Sequence, residues 1–207
     1  MTVVYMFGDS NLFGMQAVTM TQYPREDIFH SIVIKELKKM GNVEYKVDGM
    51  PGRSIEREDT VFGIFSGEKV FMAFLKSFSR IETTKKKIFV FSLCVNDILA
   101  GATAEETISS IKMCLKRIKE TSNSKTILVI PPSIKECTFQ PWAEITQRGR
   151  EQSIILTQIL LKRSLDNVDA YADFSDLQVG EDGVHLTKES HKKAAKKVLD
   201  SIRSLNF

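Results

Sequence analysis

The stretch Val3-Val4-Tyr5-Met6-Phe7-Gly8-Asp9-Ser10-Asn11, near the start of the chain, decides the reading of the fold. Its apolar residues run without a polar interruption and stop at a glycine, an aspartate and a serine. A strand with one wet face alternates apolar and polar side chains. A short continuous run bounded by turn residues reads as a strand buried on both faces, the strand of a parallel sheet. Further runs lie at 88–95, 127–130 and, more weakly, 168–174, while Val43, Tyr45 and Val47 alternate with polar neighbours.

Helical spacings fill the intervals. In 26–40 the apolar positions are Ile28, Phe29, Ile32, Val33, Leu37 and Met40, and Gly41 follows as a stop signal. In 104–121 they are Ile108, Ile111, Leu115 and Ile118, and 147–165 carries Ile154, Ile155, Ile159 and Leu160. Ala195, Val198, Ile202 and Leu205 share the face of a last helix, and another helix is expected over 69–80. Strand–helix alternation throughout predicts one α/β domain spanning 1–207. The expected architecture is a doubly wound sheet of about five parallel strands flanked by helices, flavodoxin-like in layout.

Composition narrows the function classes. A chain of 207 residues buries a full core without metal or disulfide staples. The balance of 29 basic against 26 acidic residues is mild, so nothing calls for nucleic acid as a partner. The lysine-rich stretches at 85–87 and 192–197 read as solvated helix ends and faces. Cys94, Cys114 and Cys137 are widely spaced and form no CxxC pair, which argues against a disulfide framework or a cysteine zinc site and for a reducing compartment. No apolar run approaches the roughly 18 residues of a membrane span, and the first residues lack the basic segment of a signal peptide. The expectation is a cytoplasmic protein with no membrane span.

In doubly wound sheets, ligands bind at the carboxyl ends of the strands. The residues following the expected strands are Gly8-Asp9-Ser10-Asn11, Gly49-Met50-Pro51-Gly52-Arg53-Ser54, Cys94-Val95-Asn96-Asp97, Pro131-Pro132-Ser133 and Asp182-Gly183-Val184-His185-Leu186-Thr187. Together they supply a hydroxyl, a glycine-rich turn, an amide and an Asp–His pair, the parts needed for acyl transfer. Asp182 and His185 stand three residues apart before the last helix, with Thr187 as its expected N-cap. That spacing lets the carboxylate orient the imidazole while its other nitrogen takes a proton from Ser10. Asn96 can aim its amide, and Gly52 a backbone N–H, at a developing oxyanion.

At these residues the chain resembles the SGNH (GDSL-type) hydrolase family. Gly8-Asp9-Ser10 matches the first block, Gly52 the glycine of the second, Asn96-Asp97 the third, and Asp182 with His185 the Asp-x-x-His of the fifth. The resemblance implies Ser10 as nucleophile, His185 as base and Asp182 as its orienter. It also implies an oxyanion hole made by Ser10, Gly52 and Asn96. The strings Gly8-Asp9-Ser10-Asn11-Leu12-Phe13-Gly14, Gly49-Met50-Pro51-Gly52-Arg53-Ser54 and Val129-Ile130-Pro131-Pro132 look closest to the arylesterase and acetyl-esterase branch. That branch acts on small, often acetyl, esters without cofactor or metal, and its members can assemble into homo-oligomers. One departure stands out: Cys94 occupies a position where the third block usually has glycine.

The implied activity is a serine esterase with a small ester substrate. Two alternatives stay open: a thioesterase, lysophospholipase or acyltransferase with the same triad, and a catalytically silent binding domain. Arg53 either faces substrate or pairs with an acid such as Asp59, and Trp142 and Val184, with Leu12, Phe13 and Ile134, are candidate pocket residues. His30 and His191 read as structural, with no metal assigned, and Asp9 and Asp97 as loop-holding carboxylates. Gly-x-Ser-x-Gly, Gly-x-Gly-x-x-Gly and the P-loop string do not occur in the chain.

Overall fold

A computed structural model describes residues 1–81, 84–138, 140 and 142–205. Along the chain, β1 (Thr2–Gly8) leads into a one-turn α1 (Ser10–Phe13), and a 3-10 turn precedes α2 (Phe29–Met40). Then come β2 (Val43–Gly49), the two-residue β3 (Arg53–Ser54) and β4 (Phe65–Ser66), and α3 (Glu68–Ser79). β5 (Lys86–Ser92) is followed by the short α4 (Val95–Leu99) and the long α5 (Ala104–Thr121). The rest is β6 (Lys125–Ile130), α6 (Trp142–Leu161), β7 (Ala170–Asp173) and α7 (Lys188–Ser204).

The main sheet has the strand order β2-β1-β5-β6-β7, every neighbour pair parallel, as the unbroken apolar runs require. Successive side chains point to opposite faces. Val3 and Phe7 of β1 join Phe89 and Phe91 of β5 in a core closed by α3, α5 and α6. Val4 and Met6 join Ile88, Val90, Ile127 and Val129 in a second core closed by α2 and α7. The first core is strongly aromatic: Phe7 lies 5.4 Å from Phe71 and 5.2 Å from Phe74, and Phe89 lies 5.4 Å from Phe78, all tilted or edge-on as ring quadrupoles prefer.

Element boundaries differ from the periodicity at two helices. Over 26–40, residues 25–27 form the separate 3-10 turn, and Ile28 is extended and fully buried before α2 begins at Phe29. α6 starts at Trp142, not at 147, because its first turn already carries the apolar Trp142 and Ile145. It ends at Leu161 because Arg163 takes a left-handed φ of 51°, which no continuing helix permits. At the other end of the chain, Thr187 caps α7 by accepting the Ser190 N–H at 3.2 Å. Among the described residues no helix is long and apolar enough to cross a membrane.

His191 on α7 is fully buried. Its Nδ1 accepts the Phe29 N–H at 3.4 Å, its ring stacks on Phe29 with centroids 5.9 Å apart, and its Nε2 has no hydrogen-bond partner among the described residues. Burial, helped by the positive charges of His30 and His185 and opposed by Asp27, pushes its pKa down from 6.5 to about 4. The fold therefore holds the neutral ring. Its contribution to stability is complete above pH 6.5 and is lost as pH falls from there toward 4, on the order of 3 kcal/mol in all. Denaturant titrations at pH 7, 5.5 and 4 should show the unaltered protein losing more stability than His191→Phe, which keeps the stack but cannot titrate. Parallel pH curves for the two proteins would contradict this role.

Candidate active site

The carboxyl edge of the sheet gathers the loops that carry the chemistry. At the end of β1, Gly8 lies in register with Gly49 of β2 and Ser92 of β5. A Cβ on Gly8 would collide with the Ser92 carbonyl oxygen and with the Leu12 side chain, so only glycine lets the chain turn here into α1. Asp9 caps that turn, its Oδ1 accepting the Asn11 N–H at 2.9 Å. Ser10 is the first helical residue, so its N–H has no acceptor within the helix and its side chain stands over the sheet edge. Burial pushes the Asp9 carboxyl up to about 6, against the opposing pull of the Asn11 N–H and the charges of His185 and Arg53.

The loop before α7 brings the other partners. Asp182 is fully buried, and its Oδ1 accepts the N–H groups of Val184 at 2.9 Å and His185 at 3.0 Å. Its Oδ2 lies 2.5 Å from His185 Nδ1, and His185 Nε2 lies 2.8 Å from Ser10 Oγ. Burial acts to raise the Asp182 carboxyl. The hydrogen bond and charge of the His185 ring, with the two backbone N–H groups, outweigh burial and hold it below its ordinary value. The three side chains thus form one continuous hydrogen-bonded line from a carboxylate to a hydroxyl.

Opposite that line, Asn96 at the start of α4 donates one amide N–H to the Arg53 carbonyl at 2.8 Å, which leaves its second N–H for another acceptor. Asp97 gathers the N–H groups of Ile55, Glu56 and Arg57 at 2.7, 2.9 and 3.2 Å and so binds the loop after β3 onto α4. Gly52 adopts φ 74°, and a Cβ there would strike the Gly63 carbonyl oxygen. Ser10, Gly52, Asn96 and His185 all line one cleft of about 610 Å³. Its walls are mostly apolar: Met15, Met20, Phe62, Leu99, Trp142 and Val184 contribute, with Glu144 as an acid. The Trp142 ring stands edge-on to the His185 ring at 5.5 Å.

A family model for GDSL-like lipases and acylhydrolases matches residues 4–198. The chain belongs to this family. As a member of it, the chain is a carboxylic ester hydrolase. Among solved structures, a carbohydrate acetylesterase family member from Sinorhizobium meliloti superposes with a TM-score of 0.80 at 22% identity, covering 99% of each chain. An aryl esterase from M. smegmatis superposes with a TM-score of 0.85 at 15% identity, covering 99% of this chain and 100% of that one. At these identities the likeness is one of fold. No curated protein sequence matches the chain.

Of the two readings of Arg53, the structure places it with an acid and away from the cleft lining, and the acid is Asp48 where Asp59 was the example: only 1% of Arg53 is exposed, its Nη2 lies 2.7 Å from Asp48 Oδ1, and Asp59 pairs with Arg148. Trp142 and Val184 line the cleft. Leu12 and Ile134 are packed in the two cores, and Phe13 is not part of the lining. Cys94 has φ 177°, outside the left-handed region, so glycine is not required there. Burial, with the charges of Asp9 and Asp97, pushes its thiol well above the ordinary value, which makes it a poor nucleophile. Among the described residues, no group of three or more His, Cys, Asp or Glu side chains is placed to hold a metal ion.

One residue escaped the sequence reading. Asn11 Oδ1 accepts the Leu186 N–H at 2.9 Å, and its Nδ2 donates to the Val184 carbonyl at 3.4 Å, so Asn11 ties α1 to the backbone on both sides of His185. Its place directly after Ser10 was the available signal. Asn11→Ala leaves a buried N–H unpaired and should cost about 1–3 kcal/mol in denaturant titration. It should also lower kcat on a nitrophenyl ester, because the imidazole loses its anchor. Unchanged stability and unchanged kcat would contradict this.

Proposed function

We propose that this chain is a serine esterase that hydrolyses small, uncharged, acetyl-type esters through an acyl-enzyme. The observation that carries the proposal is the hydrogen-bonded line Asp182–His185–Ser10 at the lining of the cleft, with contacts of 2.5 and 2.8 Å. Ser10 Oγ attacks the ester carbonyl while His185 Nε2 takes its proton. The resulting imidazolium is held by the Asp182 carboxylate, whose two backbone hydrogen bonds keep it ionised and in place. The tetrahedral oxyanion is met by the N–H groups of Ser10 and Gly52 and by the second amide N–H of Asn96. Collapse breaks the ester C–O bond, and His185 gives its proton to the departing alcohol. A water then attacks the acyl-serine with His185 again as base, and the acid leaves as Ser10 regains its proton.

The walls support an uncharged substrate. Among the described residues, the ionisable side chain on the cleft besides His185 is Glu144, which repels an anionic ester, while the methionines, Phe62 and Trp142 suit an apolar arm. Cys94 and Cys114 are free, buried thiols, which supports a place in the reducing cytoplasm.

Hydrolysis of 4-nitrophenyl esters from acetate to dodecanoate tests the reading. We expect kcat/KM to be highest for acyl chains of two to about four carbons. Ser10→Ala should lower kcat by about a thousandfold or more. A preference for chains beyond about eight carbons would contradict the small-acyl assignment. Activity that survives in Ser10→Ala would contradict the mechanism.

A further inference from the structure

Arg53 is a long cation in an unexpected place. Its guanidinium is buried against the face of Phe7, 4.4 Å from the ring centroid, and its Nε has no partner among the described residues. A buried ion pair of this kind is weak support for stability, since desolvation offsets much of the attraction. What the guanidinium does is geometric. Nη1 donates to the Gly8 carbonyl at 3.2 Å and to the Asp48 carbonyl at 2.9 Å, and Nη2 binds the Asp48 carboxylate. One planar group therefore clamps the ends of β1 and β2 together immediately beneath Ser10. The backbone of the same residue closes the turn that presents Gly52, its N–H donating to the Met50 carbonyl at 3.3 Å. Its carbonyl takes one N–H of Asn96 and thereby fixes which way the other points.

We propose that Arg53 is a positioning residue that sets two oxyanion donors at once. Its side chain locks the turn carrying Gly52 against the nucleophile strand, and its carbonyl, held still by that lock, orients the Asn96 amide. The proposal rests on the acyl-enzyme reading above and deepens it. A lysine cannot replace this clamp, because a single ammonium lacks the planar fork that reaches Gly8 and Asp48 together. A residue acting through the oxyanion donors alters the rate of the chemical step and leaves ground-state binding nearly untouched.

The test is a double-mutant cycle on the full chain with 4-nitrophenyl acetate, using Arg53→Met, Asn96→Ala and the pair, with folding checked by circular dichroism and thermal melts. Asn96→Ala should lower kcat by about a hundredfold or more, as loss of one oxyanion donor does. Arg53→Met and Arg53→Lys should each lower kcat by about ten- to a hundredfold with KM within about threefold. The pair should fall below Asn96→Ala alone by clearly less than Arg53→Met lowers the unaltered chain, because only the share carried through Gly52 remains. Losses that multiply, or a change confined to KM, would overturn the proposal. Should Arg53→Met fail to fold, Asp48→Asn loosens the clamp at its partly exposed end. It should lower kcat by several-fold, again without multiplying the Asn96→Ala loss, and multiplication would overturn the proposal equally. Ester turnover that depends on Ser10, together with a multiplicative cycle, removes the Arg53 role and leaves the esterase reading standing. No turnover by the unaltered chain removes both.

Discussion

The site depends on one close approach. At Gly8 three parallel strands meet in register, and no side chain fits between the β1 backbone and the Ser92 carbonyl. The chain can therefore turn at once, with the Asp9 N–H donating to that same carbonyl at 3.2 Å, and Ser10 begins a helix directly over the sheet edge. The Gly8 carbonyl in turn accepts the Met50 N–H at 3.2 Å and the Arg53 guanidinium. The loop after β2 is thus measured from the same point as the proposed nucleophile. The proposed oxyanion donors and the attacking hydroxyl share one reference because the backbone there is bare.

Two carboxylates a short distance apart in this edge show how the same residue type is tuned in opposite directions. Asp182 is buried yet held below its ordinary pKa, because it receives the imidazole and two backbone N–H groups. Asp9 is buried with one side-chain cap, at Asn11, and burial prevails, lifting it to about 6. The direct hydrogen bond from the His185 ring, which Asp182 receives and Asp9 does not, decides the outcome. The acid that must stay charged to hold an imidazolium is the one so surrounded.

Much of this was legible in the chain itself. The unbroken run from Val3 to Phe7 and its counterparts in β5 and β6 predict a parallel sheet because parallel strands are covered on both faces, and that sheet is present in the expected form. The Asp-x-x-His spacing carried enough local geometry to foresee that Asp182 and His185 would meet. What stayed hidden depended on distant partners. Arg53 could be read only as facing substrate or pairing with some acid, because nothing local reveals that Asp48 and the Gly8 carbonyl are its partners. Asn11 reads as a turn residue until the loop 175 positions away is brought beside it. Met15, Met20 and Phe62 lie in irregular loops with no periodicity to mark a face, so their place on the cleft wall follows only from the tertiary structure.

The central claim is that Ser10 is a nucleophile activated by His185. Its most direct measurement is reaction of the folded protein with a fluorophosphonate, followed by intact-mass and peptide mass spectrometry. The account predicts one phosphonyl group per chain, located on Ser10, with none on His185→Ala over the same time. Labelling at another residue, or a folded chain that takes up no label, would contradict it.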